Sequence, residues 1–479
     1  MNLLNILNSS VLSLLLSFYL ITNLQWFNYS LTRVVIRHSK KLWHILYFLI
    51  PIVVYYFIAD IYFTIFLYLI YLPLLIWWNY KLDKKVIFTH RVKRFFAIFV
   101  LLFAIVYTLC FLSSSCSFYP VVLPLMAVVL LSNLVEYIIM LKFKHQAKHK
   151  LETIKNLKIV LITASYGKTS IKNYLYSTIS TKYQTHMTPR SVNTIGGIIK
   201  DINENIDNQT EFYIVEAGAR QKGDISKIAK LLNPQYVIIG QIGPAHIEYF
   251  KTIDNIIHTK KEALQSERLV YGVVHKSLHL LDYENIENFF IKDENISCSI
   301  KEKLEFNFVY QNKNIKLTAP LLGKFNATNL YAVTLMSLKL GFTIEQIQKS
   351  FMSLKQVPHR LQLIEANGKT ILDDSFNGNI DGMLEAINLS SGFDGKKTIV
   401  TCGLVESTKQ TNEKLCHAIE AVFDQVILTS SLNETVFKEI INKNKLLILR
   451  DKTKLVDILA KKTQAGELIL FANDAPNHV

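Results

Sequence analysis

KIVLITASYGKTSIKNYL, residues 158–175, joins an apolar run to an amphipathic one across a short turn of small residues. The run from Ile159 to Ile162 reads as a buried strand, and the segment opening at Gly167 reads as a helix. Strand, turn, Gly167-Lys168-Thr169-Ser170 and helix form the layout of a phosphate-binding loop. In such a loop, backbone N–H groups and the helix N-terminus face an anion. Lys168 would supply a positive charge, and the Thr169 hydroxyl could ligate Mg²⁺. The usual first glycine is missing, and Ala164 stands in its place. Gly-Lys-Thr also occurs by chance, so the strand before it and the helix after it carry the assignment of a nucleotide site.

Upstream, the chain changes character. Half of its residues are hydrophobic although its formal charge is +15. Residues 1–141 hold ten Lys and Arg and three acids, and apolar runs cover about 3–22, 42–59, 61–78, 95–112 and 118–141. Each is near the ~20 residues that cross a bilayer as a helix. None shows a polar face at helical spacing, as buried helices of a soluble core usually do. The basic residues sit in alternate connections: Arg33 to Lys41, Lys81 to Arg94, and Lys142 to Lys150. The connections near Asp60 and Ser113 to Ser117 have none. That alternation predicts five spans with the N-terminus outside and everything from residue 142 in the cytoplasm. The first run has no basic residue before it and no small-x-small site after it, so it reads as a span and not a cleaved signal. Glu136 is the one acid well inside a span, close enough to its inner end to reach the interface. Cys298, Cys402 and Cys416 read as free thiols in a reducing compartment, as do Cys110 and Cys116, for which an outer-face bridge is the alternative.

The remaining chain carries 43 basic and 35 acidic residues. This surplus is mild, and no basic cluster is interleaved with aromatics, so no nucleic-acid partner is expected. It suits phosphorylated small molecules and an anionic inner leaflet. Apolar β-rich runs alternate with helical patterns at Lys158–Ile162, Phe212–Glu216, Tyr236–Gln241, Thr398–Cys402, Gln425–Thr429, Leu446–Leu449 and Leu468–Phe471. The alternation predicts α/β units with parallel sheets. The last four strands suit a second doubly wound domain, with a boundary near Lys355 to Pro358, after a helix spanning Asn326 to Leu340 and its Gly341 stop. The fold class is α + α/β: a five-helix transmembrane region (1–141), a basic linker (142–157), an ATP-binding α/β domain (158–355) and a C-terminal α/β domain (356–479).

Two further motifs extend the phosphate loop. FYIVEAGARQKGDI ends a strand on Glu216, where a carboxylate beside a phosphate loop could hold Mg²⁺. Alone, it would be an ordinary acidic strand end. YVIIGQIGPAHIEYF repeats the layout and places His246 after a Gly243-Pro244 turn. A lone histidine is more often structural, but after a strand of the same sheet it becomes a metal or phosphate candidate.

The order GKTS, VEAGA, IGPAHIEYF, TKKEAL, GKFNATNL, PHRLQ and LDDSFNGNIDGMLEAI resembles the Mur ligases over about residues 158–405. It is most similar to the branch that joins D-alanyl-D-alanine to UDP-MurNAc-tripeptide in peptidoglycan synthesis. The resemblance implies an ATP- and Mg²⁺-dependent ligase that activates a carboxylate as an acyl phosphate and releases ADP and phosphate. It implies phosphate and magnesium binding by Gly167, Lys168, Thr169 and Ser170, and magnesium ligation by Glu216 and His246. Lys260 would be carbamylated and help hold a second metal, with Lys261 the alternative register. Asn326 and Asn329 would lie near the adenine, although Phe325 replaces the usual histidine. Arg360 would reach the γ-phosphate, Asp374 and Asn377 would meet the nucleotide, and Asn193 would line the substrate side.

Three departures are expected to matter. Residues 1–141 stand where the family has a soluble UDP-binding domain, Ala164 replaces a glycine, and the tail LILFANDAPNHV lacks the family's lysine-glycine-serine-arginine run. A second reading keeps the chemistry and changes the amine, to another amino acid or a polyglutamate. A third is a transporter or sensor with a regulatory nucleotide domain, against which the near absence of charge within the spans counts. The implied location is the bacterial cytoplasmic membrane, with cell-wall synthesis proteins as neighbours.

Overall fold

The computed structural model describes all residues except 1, 2, 37, 39, 83, 84, 114–120, 246, 281–283, 377, 406 and 474–479. The chain forms two compact units, 1–143 and 144–479.

Among the described residues, four helices are long and apolar enough to cross a membrane by length and composition: Leu4–Trp26, Asp60–Tyr80, His90–Leu112 and Val122–Thr153. The run at Leu42–Phe57 is a shorter apolar helix. Two of these helices carry a wider π turn, Ile45–Leu49 and Phe66–Tyr71, just ahead of Pro51 and Pro73. Proline has no N–H for the carbonyl four residues back, so the ladder must adjust there. The carbonyl four before Pro51 belongs to Tyr47, and the Tyr71 hydroxyl donates to it at 2.9 Å. Glu136 pairs with Arg94 at 2.7 Å. Cys110 is disulfide-bonded, so it is not a free thiol, and Cys116 lies outside the described residues. Cys298, Cys402 and Cys416 are free.

The second unit holds two six-stranded sheets and a small antiparallel one. The first sheet comprises β1 (Lys158–Thr163), β2 (Thr185–Met187), β3 (Phe212–Glu216), β4 (Tyr236–Ile239), β5 (Tyr271–His275) and β6 (Ile286–Phe289), all parallel, in the order β2-β3-β1-β4-β5-β6. Both faces are buried, which is why β1 is continuously apolar. Val160 and Ile162 enter one core and Ile159 and Leu161 the other. The strand order reverses beside β1, and a crevice at the carboxyl ends of the strands is the usual ligand position in such sheets.

The small sheet is β7 (Ile296–Ser297), β8 (Leu304–Tyr310) and β9 (Lys313–Ala319), which the sequence reading passed over. The second large sheet follows: β10 (Gln362–Ala366), β11 (Lys369–Asp374), β12 (Lys397–Thr401), β13 (Gln425–Leu428), β14 (Leu446–Ile448) and β15 (Leu468–Ala472). Its order is β10-β11-β15-β12-β13-β14, with β10 antiparallel. The four expected strands 398–471 appear as β12 to β15, within two residues at each end. The expected 326–340 helix runs Lys324–Lys339.

Candidate active site

The loop after β1 turns at Gly167, whose φ of +78° is easy only for glycine, and Lys168 then begins the helix Lys168–Ile179. The Lys168 ammonium folds back onto the loop, donating to the carbonyls of Ala164 at 2.9 Å and Ser165 at 3.1 Å. Burial lowers its pKa; nearby Glu216 opposes this and Arg360 adds to it. Ile162 of β1 lies beside Glu216 of β3 in the parallel register, so the phosphate loop and this carboxylate leave adjacent strand ends.

Glu216 is buried and fully engaged. Its Oε2 accepts from the Thr169 hydroxyl at 2.9 Å and pairs with Lys172 at 3.3 Å. Its Oε1 accepts from Asn193 Nδ2 at 3.3 Å. Asn193 lies flat on Gly218, where an added Cβ would sit 2.8 Å from the amide carbon. The glycine of the EAGA motif thus makes room for the asparagine of the SVNT motif. A carboxylate and a hydroxyl are hard oxygen donors of the kind Mg²⁺ takes, so the residues present fit that ion. Among the described residues no three His, Cys, Asp or Glu side chains cluster as a metal site. His246 and Asn377 lie outside the described residues.

Lys260, only 4% exposed, points inward, and its ammonium donates to Thr163 Oγ1 at 3.3 Å at the end of β1. Burial, reinforced by the positive Lys168, holds its pKa well below the ordinary lysine value. The next lysine, Lys261, is only half-buried.

Asn329 packs against Gly167, with its Oδ1 2.4 Å from where a Cβ would be. Asn326 sits behind it, accepting from the Tyr174 hydroxyl at 3.0 Å and donating to the Leu322 carbonyl at 2.7 Å. Arg360 stands between two non-glycine residues in the left-handed region, His359 (φ +62°) and Leu361 (φ +53°). The Asp-Asp pair ending β11 holds this strained turn. Asp373 takes His359 Nδ1 at 2.7 Å and Asp374 takes the Leu361 amide at 3.0 Å. Arg360 then donates to the Phe376 carbonyl at 2.6 Å.

One cavity of about 980 Å³ brings these together: Lys168, Thr169, Glu216, Asn329, Arg360 and Asp374 all line it. Gly167, Ser170 and Asn193 line it too, whereas Lys260 and Asn326 stand behind the wall. Three residues went unread in the sequence. Lys172 follows Lys168 at one helical turn, a spacing that could have flagged it. Tyr166 occupies the space above Gly243, where a Cβ would meet its ring at 2.4 Å, and burial with nearby Asp381 pushes its hydroxyl up to about 12. His275 lines the cavity as a neutral imidazole, burial lowering its pKa to about 4.

Residues 162–337 match the family model of the Mur ligase middle domain. Curated proteins similar to this chain include the UDP-N-acetylmuramoyl-tripeptide–D-alanyl-D-alanine ligases of Borreliella burgdorferi and Bacillus subtilis. The first is 27% identical, over 57% of this chain and 62% of that protein. The second is 26% identical, over 66% of this chain and 72% of that protein. The chain thus spans about 62% of the length of the first of these relatives. The crystal structure of MurF from Thermotoga maritima in complex with ADP shares the fold, with a TM-score of 0.60 and 24% identity over 70% of this chain and 80% of that one. MurF from Acinetobacter baumannii does so with a TM-score of 0.60 and 21% identity over 71% and 78%.

Proposed function

We propose that this chain is a membrane-anchored, ATP-dependent amide ligase of peptidoglycan precursor synthesis that joins D-alanyl-D-alanine to UDP-MurNAc-tripeptide. The observation that carries the reading is the single cavity on which Lys168, Thr169, Glu216 and Arg360 converge within and beside a Mur ligase middle domain. The names of the curated relatives support the substrate pair.

The chemistry follows from charge. A carboxylate repels an incoming amine, so its oxygen first takes the γ-phosphoryl group of ATP, giving an acyl phosphate and ADP. The amine then attacks the acyl carbon, and phosphate leaves as the amide forms. Lys168 and the backbone N–H groups after Gly167 hold the phosphates, and Arg360 faces the oxygens on which charge builds. Mg²⁺, when bound at Thr169, Glu216 and His246, neutralises phosphate charge. Lys260, whose pKa burial lowers, is suited to give up a proton and react as the free amine with CO₂, forming a carbamate anion and releasing a second proton. Asn329 and, through it, Asn326 shape the adenine side. Asp374 and Asn377 meet the nucleotide from the C-terminal domain, and Asn193 lines the substrate side.

The same proposal divides the chain into transmembrane helices (1–141), a linker (142–157), an ATP-binding domain (158–355) and a C-terminal domain (356–479). Five spans would leave the N-terminus outside and the ligase in the cytoplasm of a bacterial cell. The alternating basic connections support this, as do a disulfide-bonded Cys110 near the predicted outer face and free thiols in the second unit.

The detergent-solubilised full-length chain, given ATP, UDP-MurNAc-tripeptide and a panel of amines, tests the function. ADP and phosphate should appear in step with amide when D-alanyl-D-alanine is present, and Lys168→Ala should cut the rate at least ~10²-fold. Turnover with a different amine would move the acceptor. Nucleotide binding without any ligation would remove the enzyme reading.

A further inference from the structure

Lys172 is wholly buried in the helix that begins at the phosphate loop. An ammonium has three N–H donors, and all three are used. One goes to the Thr188 carbonyl at 2.9 Å, one to the Arg190 carbonyl, and the third faces Glu216 Oε2 at 3.3 Å. Arg190 is itself left-handed, with φ +49°, so Lys172 grips a strained loop that leads, one and three residues on, to Ser191 and Asn193 of the cavity wall. On the carboxylate, Lys172 and Thr169 share one oxygen and Asn193 takes the other.

We propose that Lys172 is a positioning residue that neutralises Glu216 in the empty enzyme, so that a divalent cation enters with the nucleotide and not ahead of it. The inference rests on Glu216 being a metal ligand. Its physical basis is the charge count. A buried carboxylate with no cation beside it would either attract free metal strongly or destabilise the fold. Here one buried ammonium already compensates it at 3.3 Å, while the rest of the cavity wall carries both signs, Lys168 and Arg360 with Asp374 and Asp381 among them. At Glu216 a free divalent ion therefore meets a carboxylate already paired with an ammonium, whereas an ion carried on a polyphosphate brings its own anion. The same ammonium fixes the 188–193 loop, so the substrate wall and the metal-side carboxylate share one anchor.

The test uses the full-length chain in detergent, with Mn²⁺ as an EPR probe, a non-hydrolysable ATP analogue, and thermal unfolding. The wild type should take up Mn²⁺ weakly alone and far more tightly with the analogue. Lys172→Met should bind Mn²⁺ alone at least ~10-fold more tightly than wild type, because the ammonium 3.3 Å from the Glu216 carboxylate is gone. Its Tm, lower by several degrees without metal, should recover on adding Mn²⁺ alone. Free-metal affinity that is unchanged or weaker in Lys172→Met overturns the inference. Absence of analogue-dependent Mn²⁺ uptake by the wild type instead overturns the reading of the site itself. Should Lys172→Met fail to fold, the Lys172→Met/Glu216→Gln pair decides. If the cost is the unpaired carboxylate, the double variant is the more stable one. If it is no more stable than the single, Lys172 serves only its two carbonyls and the inference falls.

Discussion

Gly167→Ala should damage the phosphate loop in two separable ways. At φ +78° an alanine pays for the left-handed region, about 1–2 kcal/mol. Its Cβ would also lie 2.4 Å from Asn329 Oδ1, nearly 1 Å inside ordinary contact. Asn329 is 6% exposed, and its Nδ2 reaches Asn326 Oδ1 at 3.4 Å. It can yield only by leaving its rotamer, at roughly 0.5–1.5 kcal/mol. The sum, about 1.5–3.5 kcal/mol, corresponds to a fall in Tm of roughly 2–5 °C for the unit 144–479 at ~2.1 cal/mol/K per residue. The assay is thermal unfolding of wild type, Gly167→Ala, Asn329→Ala and the double variant, with affinity for a fluorescent ATP analogue measured in parallel. In the Asn329→Ala background the clash is gone, so Gly167→Ala should cost only its backbone part, leaving a coupling of about 1 kcal/mol. An unchanged Tm, or an equal loss in both backgrounds, would refute the close packing of Asn329 on the loop.

Other outcomes follow from the same geometry. Lys260→Ala should lose activity and regain part of it with a short carboxylic acid, and wild type supplied with ¹³CO₂ should show a carbamate NMR signal; near-normal activity in both Lys260→Ala and Lys261→Ala removes the role. Because the folded-state pKa of Lys260 is depressed, the unfolded chain binds more protons between that value and ~10.4, so this group's contribution to stability grows as pH rises through the window. His275 titrates near 4 in the folded protein against ~6.5 unfolded, so its contribution is full above about pH 6.5 and falls, by up to ~3 kcal/mol, as pH drops toward 4. His275 Nδ1 accepts from the Ser277 amide at 3.2 Å, which protonation would break, and His275→Asn should flatten that acid limb; an unaltered slope assigns the acid sensitivity elsewhere. Reporter tags after residue 150 and at the C-terminus should read cytoplasmic and one at the N-terminus external, whereas both termini on one side would give an even number of spans.

Much of the second unit was legible because its signals are local. The β1 strand, the Gly167 turn and the following helix stand where KIVLITASYGKTSIKNYL puts them, since an apolar run of that length can only be buried between two layers of helices. What escaped depended on context. The hairpin of β10 and β11 turns at Asn367-Gly368, with φ of +51° and +72°, a strong hairpin signal that lies inside a stretch read for its motifs. At the π turn ahead of Pro51 the freed Tyr47 carbonyl takes its donor from Tyr71, which is remote in sequence. Lys172 carries no mark of its own in the sequence beyond its spacing from Lys168. Only the meeting of β1 and β3 brings Glu216 to it and turns a surface lysine into a buried one.

The acyl phosphate is the centre of the account, and isotope transfer tests it directly. UDP-MurNAc-tripeptide labelled with ¹⁸O in its terminal carboxylate, incubated with ATP, D-alanyl-D-alanine and the full-length chain, should release inorganic phosphate carrying one ¹⁸O for each amide formed. The bridging oxygen of an acyl phosphate comes from the carboxylate and leaves with phosphorus. Amide formed with unlabelled phosphate would contradict the mechanism, and phosphate released with neither label nor amide would contradict the function.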